Sequence, residues 1–152
     1  EAFWKELDQK SIRDTLAYLF NHAGSFQKDN KKFYGTQALE LYDLAYKERL
    51  LIEYGYINPT RFHNAVSNAC NINRFIWAKE FIDEMKQYIQ PKIRESTVLI
   101  ADSYLCFSKG NWNKTIEMLE SVHFDQSYYN LRAKSMLAMS LYKQNTDFEK
   151  KL

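Results

Sequence analysis

The sequence predicts an all-α fold, a helical-repeat solenoid of about three helix-turn-helix units, and three observations carry that prediction. Only 4 Gly and 2 Pro occur in 152 residues, so turns are scarce and helices dominate. Phe75, Trp112 and Phe148 recur at steps of 37 and 36 residues, each at the start of a helical pattern. Ala65, Ala101 and Ala138 recur at steps of 36 and 37, where two helices of a hairpin can approach closely only over a small side chain. Self-similarity at such a period marks stacked helical hairpins that bury one continuous core between neighbours.

Taken in order, residues 2–7 form a short amphipathic turn or the tail of a preceding helix, and Lys10 to Ala23 form a helix with Ile12, Leu16, Leu19 and Phe20 on one stripe. Gly24 stands where a helix stops, and the polar run from Ser25 to Lys32 is a loop. Phe33 to Leu51 carries Ala38, Leu41, Tyr42, Ala45 and Tyr46 at helical spacing, and residues 54–59 are a connector with one Gly and one Pro. The next hairpin is sharper. Thr60 to Ile72 buries Phe62, Ala65, Val66, Ala69 and Cys70; Asn73 caps a helix from Arg74 to Ile89 that buries Phe75, Ala78, Phe81, Ile82 and Met85. Pro91 restarts the chain near a helix N-terminus. Glu95 to Ser108 is apolar on nearly every side, the pattern of a helix packed all round. Gly110 breaks it, Asn111 caps Trp112 to Val122, and a last full helix runs from about Ser127 to Lys143 before Asp147 and Phe148 repeat the start pattern. The repeats therefore fall at roughly 10–52, 59–90 and 94–122, with a partial repeat at 127–152.

These residues resemble the tetratricopeptide repeat superfamily, in which a small residue, a turn Gly, an aromatic two later and a second small residue recur. Ala101, Gly110, Trp112 and Thr115 stand in that order, and Ala65, Asn73, Phe75 and Ala78 match with Asn in place of Gly. The step is longer than the usual 34 or so, and Lys151 stands where a third copy wants a small residue. The stretches FHNAVSNACNINRFIWAKEFIDEM, RESTVLIADSYLCFSKGNWNKTIEMLESVHF and SYYNLRAKSMLAMSLYK more closely resemble an uncharacterised family of long helical-repeat proteins from Bacteroidetes-type bacteria. That resemblance implies a tetratricopeptide-like α-solenoid, a single domain over 1–152 that is part of a longer protein, with no catalytic residue to carry over.

Composition narrows the function classes. The net charge is +2, and basic and acidic residues are spread evenly, so no segment has the basic excess that phosphate backbones demand. Aromatics at 16% are high, which a solenoid uses as wedges between helices. The longest apolar run, Val98 to Ala101, is far too short to span a bilayer. Cys70 and Cys106 lie almost one repeat apart, on stacked units too distant for a disulfide, and both read as buried thiols. Such thiols fit a reducing compartment, and the expected location is cytoplasmic. His22, His63 and His123 fall in separate repeats, and no metal, phosphate-loop or nucleophile motif is present; no cofactor is expected.

What remains is a binding surface. Arg61, Asn64, Asn68 and Asn71 form a polar stripe, and amides of this kind can clamp an extended backbone through paired donors and acceptors. In a solenoid the first helix of each hairpin lines the inner curve. The candidate groove residues are then Arg61, Asn64 and Asn68, Glu95 and Asp102, and Arg132 and Ser135. Asp102, an acid in an apolar helix, needs a cation such as Lys79 or Arg132 unless it faces the groove. The expectation is a non-enzymatic scaffold for a protein or peptide partner. A single-stranded RNA-binding solenoid is the alternative, with self-association through exposed repeat ends near Tyr142 and Phe148 a further possibility.

Overall fold

A computed structural model of the chain describes residues 6–25, 30–120, 122 and 127–149. Among these, seven α-helices follow one another: α1 (Gln9–Ser25), α2 (Lys31–Lys47), α3 (Pro59–Asn71), α4 (Phe75–Met85), α5 (Pro91–Ser108), α6 (Trp112–Leu119) and α7 (Ser127–Glu149). Consecutive helices pack as hairpins, and α3, α5 and α7 also pack on one another in a row. That row is the inner layer of a helical-repeat solenoid, with α4 and α6 outside it. The fold is all-α with one exception, a β-ribbon of two residues a side, β1 (Ile52–Glu53) and β2 (Tyr56–Ile57), where the sequence predicts a plain connector. Tyr54 (φ 50°) and Gly55 (φ 85°) sit left-handed at its tip, the geometry of a tight two-residue hairpin turn. The ribbon drives Leu51 and Ile57 into the core and leaves Tyr54 in solvent.

Helix ends explain most of the boundary differences. α2 stops at Lys47 because Arg49 turns left-handed (φ 57°) and Leu50 N–H reaches back to Ala45 O at 2.8 Å. The same closure ends α3 at Asn73 (φ 61°, Arg74 N–H to Ala69 O, 2.8 Å) and α5 at Gly110 (φ 76°, Asn111 N–H to Cys106 O, 3.0 Å). Asn73 and Gly110 are thus equivalent turn residues, since Asn is among the few side chains that tolerate this conformation. Contrary to the expectation that it caps α4, Asn73 closes α3, and Arg74 takes the cap position. α4 ends at Met85 in a 3-10 turn (Lys86–Tyr88), and the Arg94 guanidinium donates to the freed carbonyls of Gln87 and Ile89, both at 3.0 Å. α7 does not stop at Lys143 but continues to Glu149, so Asp147 and Phe148 extend a helix instead of opening one. The turn expected around 123–126, with His123, and most of the amphipathic turn at 2–7 lie outside the described residues, as does the Phe148 side chain.

The core centres on α3 and α4. Phe62, Ala65, Val66 and Ala69 of α3 and Ala78, Phe81 and Ile82 of α4 are all fully buried, as their spacing requires. The Phe62 and Phe81 rings lie 5.5 Å apart, and each such side chain removed from water contributes about 1.5–3 kcal/mol. Helix α5 touches α3, α4, α6 and α7, which accounts for its apolar character on every side. Ala65 and Ala101 are buried, whereas Ala138 is exposed, because no described helix follows α7 to fold back over it. Trp112 is only half-buried; its ring stands edge-on to Phe107 of its own hairpin at 5.4 Å.

Candidate functional site

Three side chains, one from each inner helix, meet in a buried cluster. His63 on α3 donates from Nε2 to the Thr97 carbonyl of α5 at 2.9 Å, Thr97 Oγ1 lies 3.1 Å from the Tyr129 hydroxyl of α7, and the His63 and Tyr129 rings meet edge-on at 5.4 Å. Burial holds the His63 pKa down at about 4. One turn further along, Arg132 of α7 reaches across α5 to α3: its Nη2 donates to Ser67 Oγ at 2.6 Å and its guanidinium lies 5.0 Å from the Tyr104 ring centre. Tyr104 in turn donates to Asn71 Oδ1 at 3.2 Å. Two layers of polar and aromatic contacts therefore brace α3 directly to α7, and the inner curve is closed along this seam.

The candidate groove residues divide accordingly. Arg61 is half-buried and paired with Glu53 of the ribbon at 2.8 Å, so it locks β1 to α3. Asn68 is buried and donates to the Gly35 carbonyl of α2 at 2.9 Å. Arg132 forms the brace just described. Asp102 pairs with Lys79 of α4 at 3.3 Å, one of the two cations the sequence offers for it, and so faces the outer helix layer. Glu95 lies two turns earlier on α5 and is exposed, as are Asn64 on α3 and Ser135 on α7. The seven residues do not converge on one cleft.

Three members of the Asn stripe do share a concavity. A shallow depression of about 250 Å³ between α1, α2 and α3 is floored by Phe20, Ala38 and Tyr42 and rimmed by Asn64, Asn68 and Asn71. Phe20 and Tyr42 are stacked at 4.1 Å, and burial pushes the Tyr42 hydroxyl up to about 12 despite the nearby Arg61. The depression can take one apolar side chain, with exposed amides beside it for a backbone. The aromatic floor comes from α1 and α2, and no local pattern in α3 announces it.

Residues 57–149, more than half of the chain, match the family model described as the tetratricopeptide repeat protein 21 ARM repeat. The chain belongs to this family. The ARM-repeat match begins at β2 and takes in α3 through α7, which are the helices of the braced inner row and their partners. Comparisons with curated proteins and with solved structures returned no match. Among the described residues no group of three or more His, Cys, Asp or Glu is placed to hold a metal ion, and no helix is long and apolar enough to cross a membrane. Cys70 is buried and its thiol is pushed up to about 11 by that burial, while Cys106 is half-buried, contrary to the expectation of two buried thiols. The outward side of α7 exposes Leu131, Met139, Leu141 and Tyr142.

Proposed function

We propose that this ARM-repeat chain is a non-enzymatic protein-interaction scaffold that holds an extended peptide segment of a partner against α3, with one apolar side chain seated on the stacked Phe20–Tyr42 pair. The depression rimmed by Asn64 and Asn71 carries the proposal, because peptide-binding sites pair apolar area with a few fixed polar anchors. Asn64 contributes a free amide that can both donate to and accept from a backbone. Of the other groove candidates, Ser135 and Glu95 extend the partner's path on exposed helix faces, while Arg61, Asn68, Asp102 and Arg132 set the positions of the helices beneath it. The repeat division at 10–52, 59–90, 94–122 and 127–152 belongs to the same proposal. So do a setting within a longer solenoid and the likeness to helical-repeat proteins of Bacteroidetes-type bacteria.

Panning a displayed random-peptide library on the chain tests the reading. Enriched peptides are expected to share one large apolar residue and to lose binding to Asn64→Lys and Tyr42→Leu variants. Peptides that bind the Asn64→Lys variant equally well place the partner elsewhere. Retention of single-stranded oligouridine at low salt, lost steeply as salt rises, would favour the RNA-binding alternative instead.

A further inference from the structure

A second concavity lies between α2 and α4. It encloses about 600 Å³ and is walled by Trp77 and Tyr46, with Tyr88 at one end and the carboxylates of Asp43, Glu80 and Glu84 around it. Its walls are fixed. Trp77 Nε1 donates to Asp43 Oδ1 at 2.8 Å, its ring stacks on Phe81 at 5.0 Å, and the Tyr46 hydroxyl donates to Glu84. Two cations border the cleft and both are engaged: Lys47 with Asp43 at 2.6 Å, and Arg49 with the Tyr88 hydroxyl at 3.3 Å. Glu80 and Glu84 have no cationic partner among the described residues. They stand at i and i+4 on α4, a like-charge spacing that by itself costs a helix a few tenths of a kcal/mol. Burial raises the Tyr46 hydroxyl well above its ordinary value, and the carboxylates of Glu84, Glu80 and Asp43 raise it further, so the wall lies in a negative field.

We propose that this cleft binds an arginine side chain presented by a partner polypeptide, at a second contact separate from the α1–α3 depression. Three features select a guanidinium. Its plane stacks on aromatic faces such as that of Trp77, its fork of N–H donors spans two carboxylates, and it sheds water more readily than an ammonium. The volume accommodates the side chain together with its flanking backbone. Glu80 and Glu84 gain a counter-charge that no cation among the described residues supplies.

The probe is the blocked tripeptide acetyl-Gly-Arg-Gly-amide, titrated into the chain while the indole N–H resonances are followed by NMR, with Trp77→Phe assigning the reporter. Controls are the citrulline peptide, neutral and of the same shape, and the lysine peptide. A saturable shift of Trp77 but not of Trp112 is expected with arginine, weakened about tenfold by Glu80→Gln and again by adding Glu84→Gln. Glu80 and Glu84 are exposed, Gln is isosteric, and its amide oxygen still accepts from the Tyr46 hydroxyl, so melting temperatures close to wild type are expected for both variants. Asn64→Lys leaves this binding intact, which keeps the test independent of the proposed peptide depression. Equal shifts with the citrulline peptide, or no saturable shift of Trp77, overturn the proposal. Equal binding of the lysine peptide overturns the assignment to a guanidinium.

Discussion

Mild acid should weaken this fold through His63 before its carboxylates titrate. The imidazole is 2% exposed, and its Nδ1 has no hydrogen-bond partner. Burial lowers its pKa from 6.5 to about 4; the bond to the Thr97 carbonyl opposes that fall and Arg132 adds to it. The unfolded chain takes up the proton near pH 6.5 and the folded chain only near pH 4, so between these values the unfolded state binds more protons. Stability is therefore complete above pH 6.5 and is lost as pH falls through this window. The gap between the two values corresponds to roughly 3 kcal/mol, of which about 2 kcal/mol is lost by about pH 5, above the range of ordinary carboxylates. Urea unfolding followed by circular dichroism at about pH 7.5 and about pH 5 reads this loss directly. The control is His63→Gln, which keeps an N–H toward Thr97 and does not titrate. Wild type should lose about 2 kcal/mol more than the variant over that interval. Parallel losses in the two proteins refute a buried neutral imidazole, and with it the seam between α3 and α7.

Gly110→Ala should cost about 1–2 kcal/mol in the same assay, because φ of 76° is strained for any residue with a Cβ even though the nearest side-chain atom leaves room. Gly35→Ala places a Cβ 2.6 Å from Ile72 Cγ2, so overpacking of about 1–3 kcal/mol should outweigh the gain in helix propensity. In an Ile72→Ala background the sign should reverse, and a double-mutant cycle measures the coupling. Cys106 should react with a thiol reagent in the folded state well before Cys70, as mass spectrometry of timed labelling would record; equal rates would misplace α3. Trp112→Ala, which a fully wedged ring would make a change of about 3–5 kcal/mol, should cost less than that, since the ring is half-buried.

The parts of this fold that the sequence carried are those written locally. Phe62, Ala65, Val66 and Ala69 share a face because of helical spacing alone, and Asn73 and Gly110 share a role because few residues turn left-handed. Arg49 turns left-handed too, but nothing in its type announces it, so α2 looked longer than it is. The β-ribbon escaped because two residues a side are too few to show alternation. Asn68 reads as one of three amides on a groove-facing stripe; its burial depends on the bare backbone of Gly35, a residue 33 positions earlier. Arg132 and Ser67 are 65 positions apart, and only the curvature of the inner row brings them together. The candidate surface was thus half legible: the amide rim is local to α3, while its aromatic floor belongs to other helices.

The seam changes how the molecule should come apart. A stack whose units touch only adjacent units can fray from either end, one hairpin at a time, each loss leaving the rest intact. Here His63 and Tyr129, and Ser67 and Arg132, tie units that are not adjacent, like diagonal struts across the panels of a truss. Peeling α7 away strips contacts from α5 and from α3 together, so the cost of the first break is raised and the residual stack is weakened at the same moment. Opening becomes a concerted event over α3 to α7, and amide hydrogens across that span should exchange with a common protection instead of a gradient from the ends.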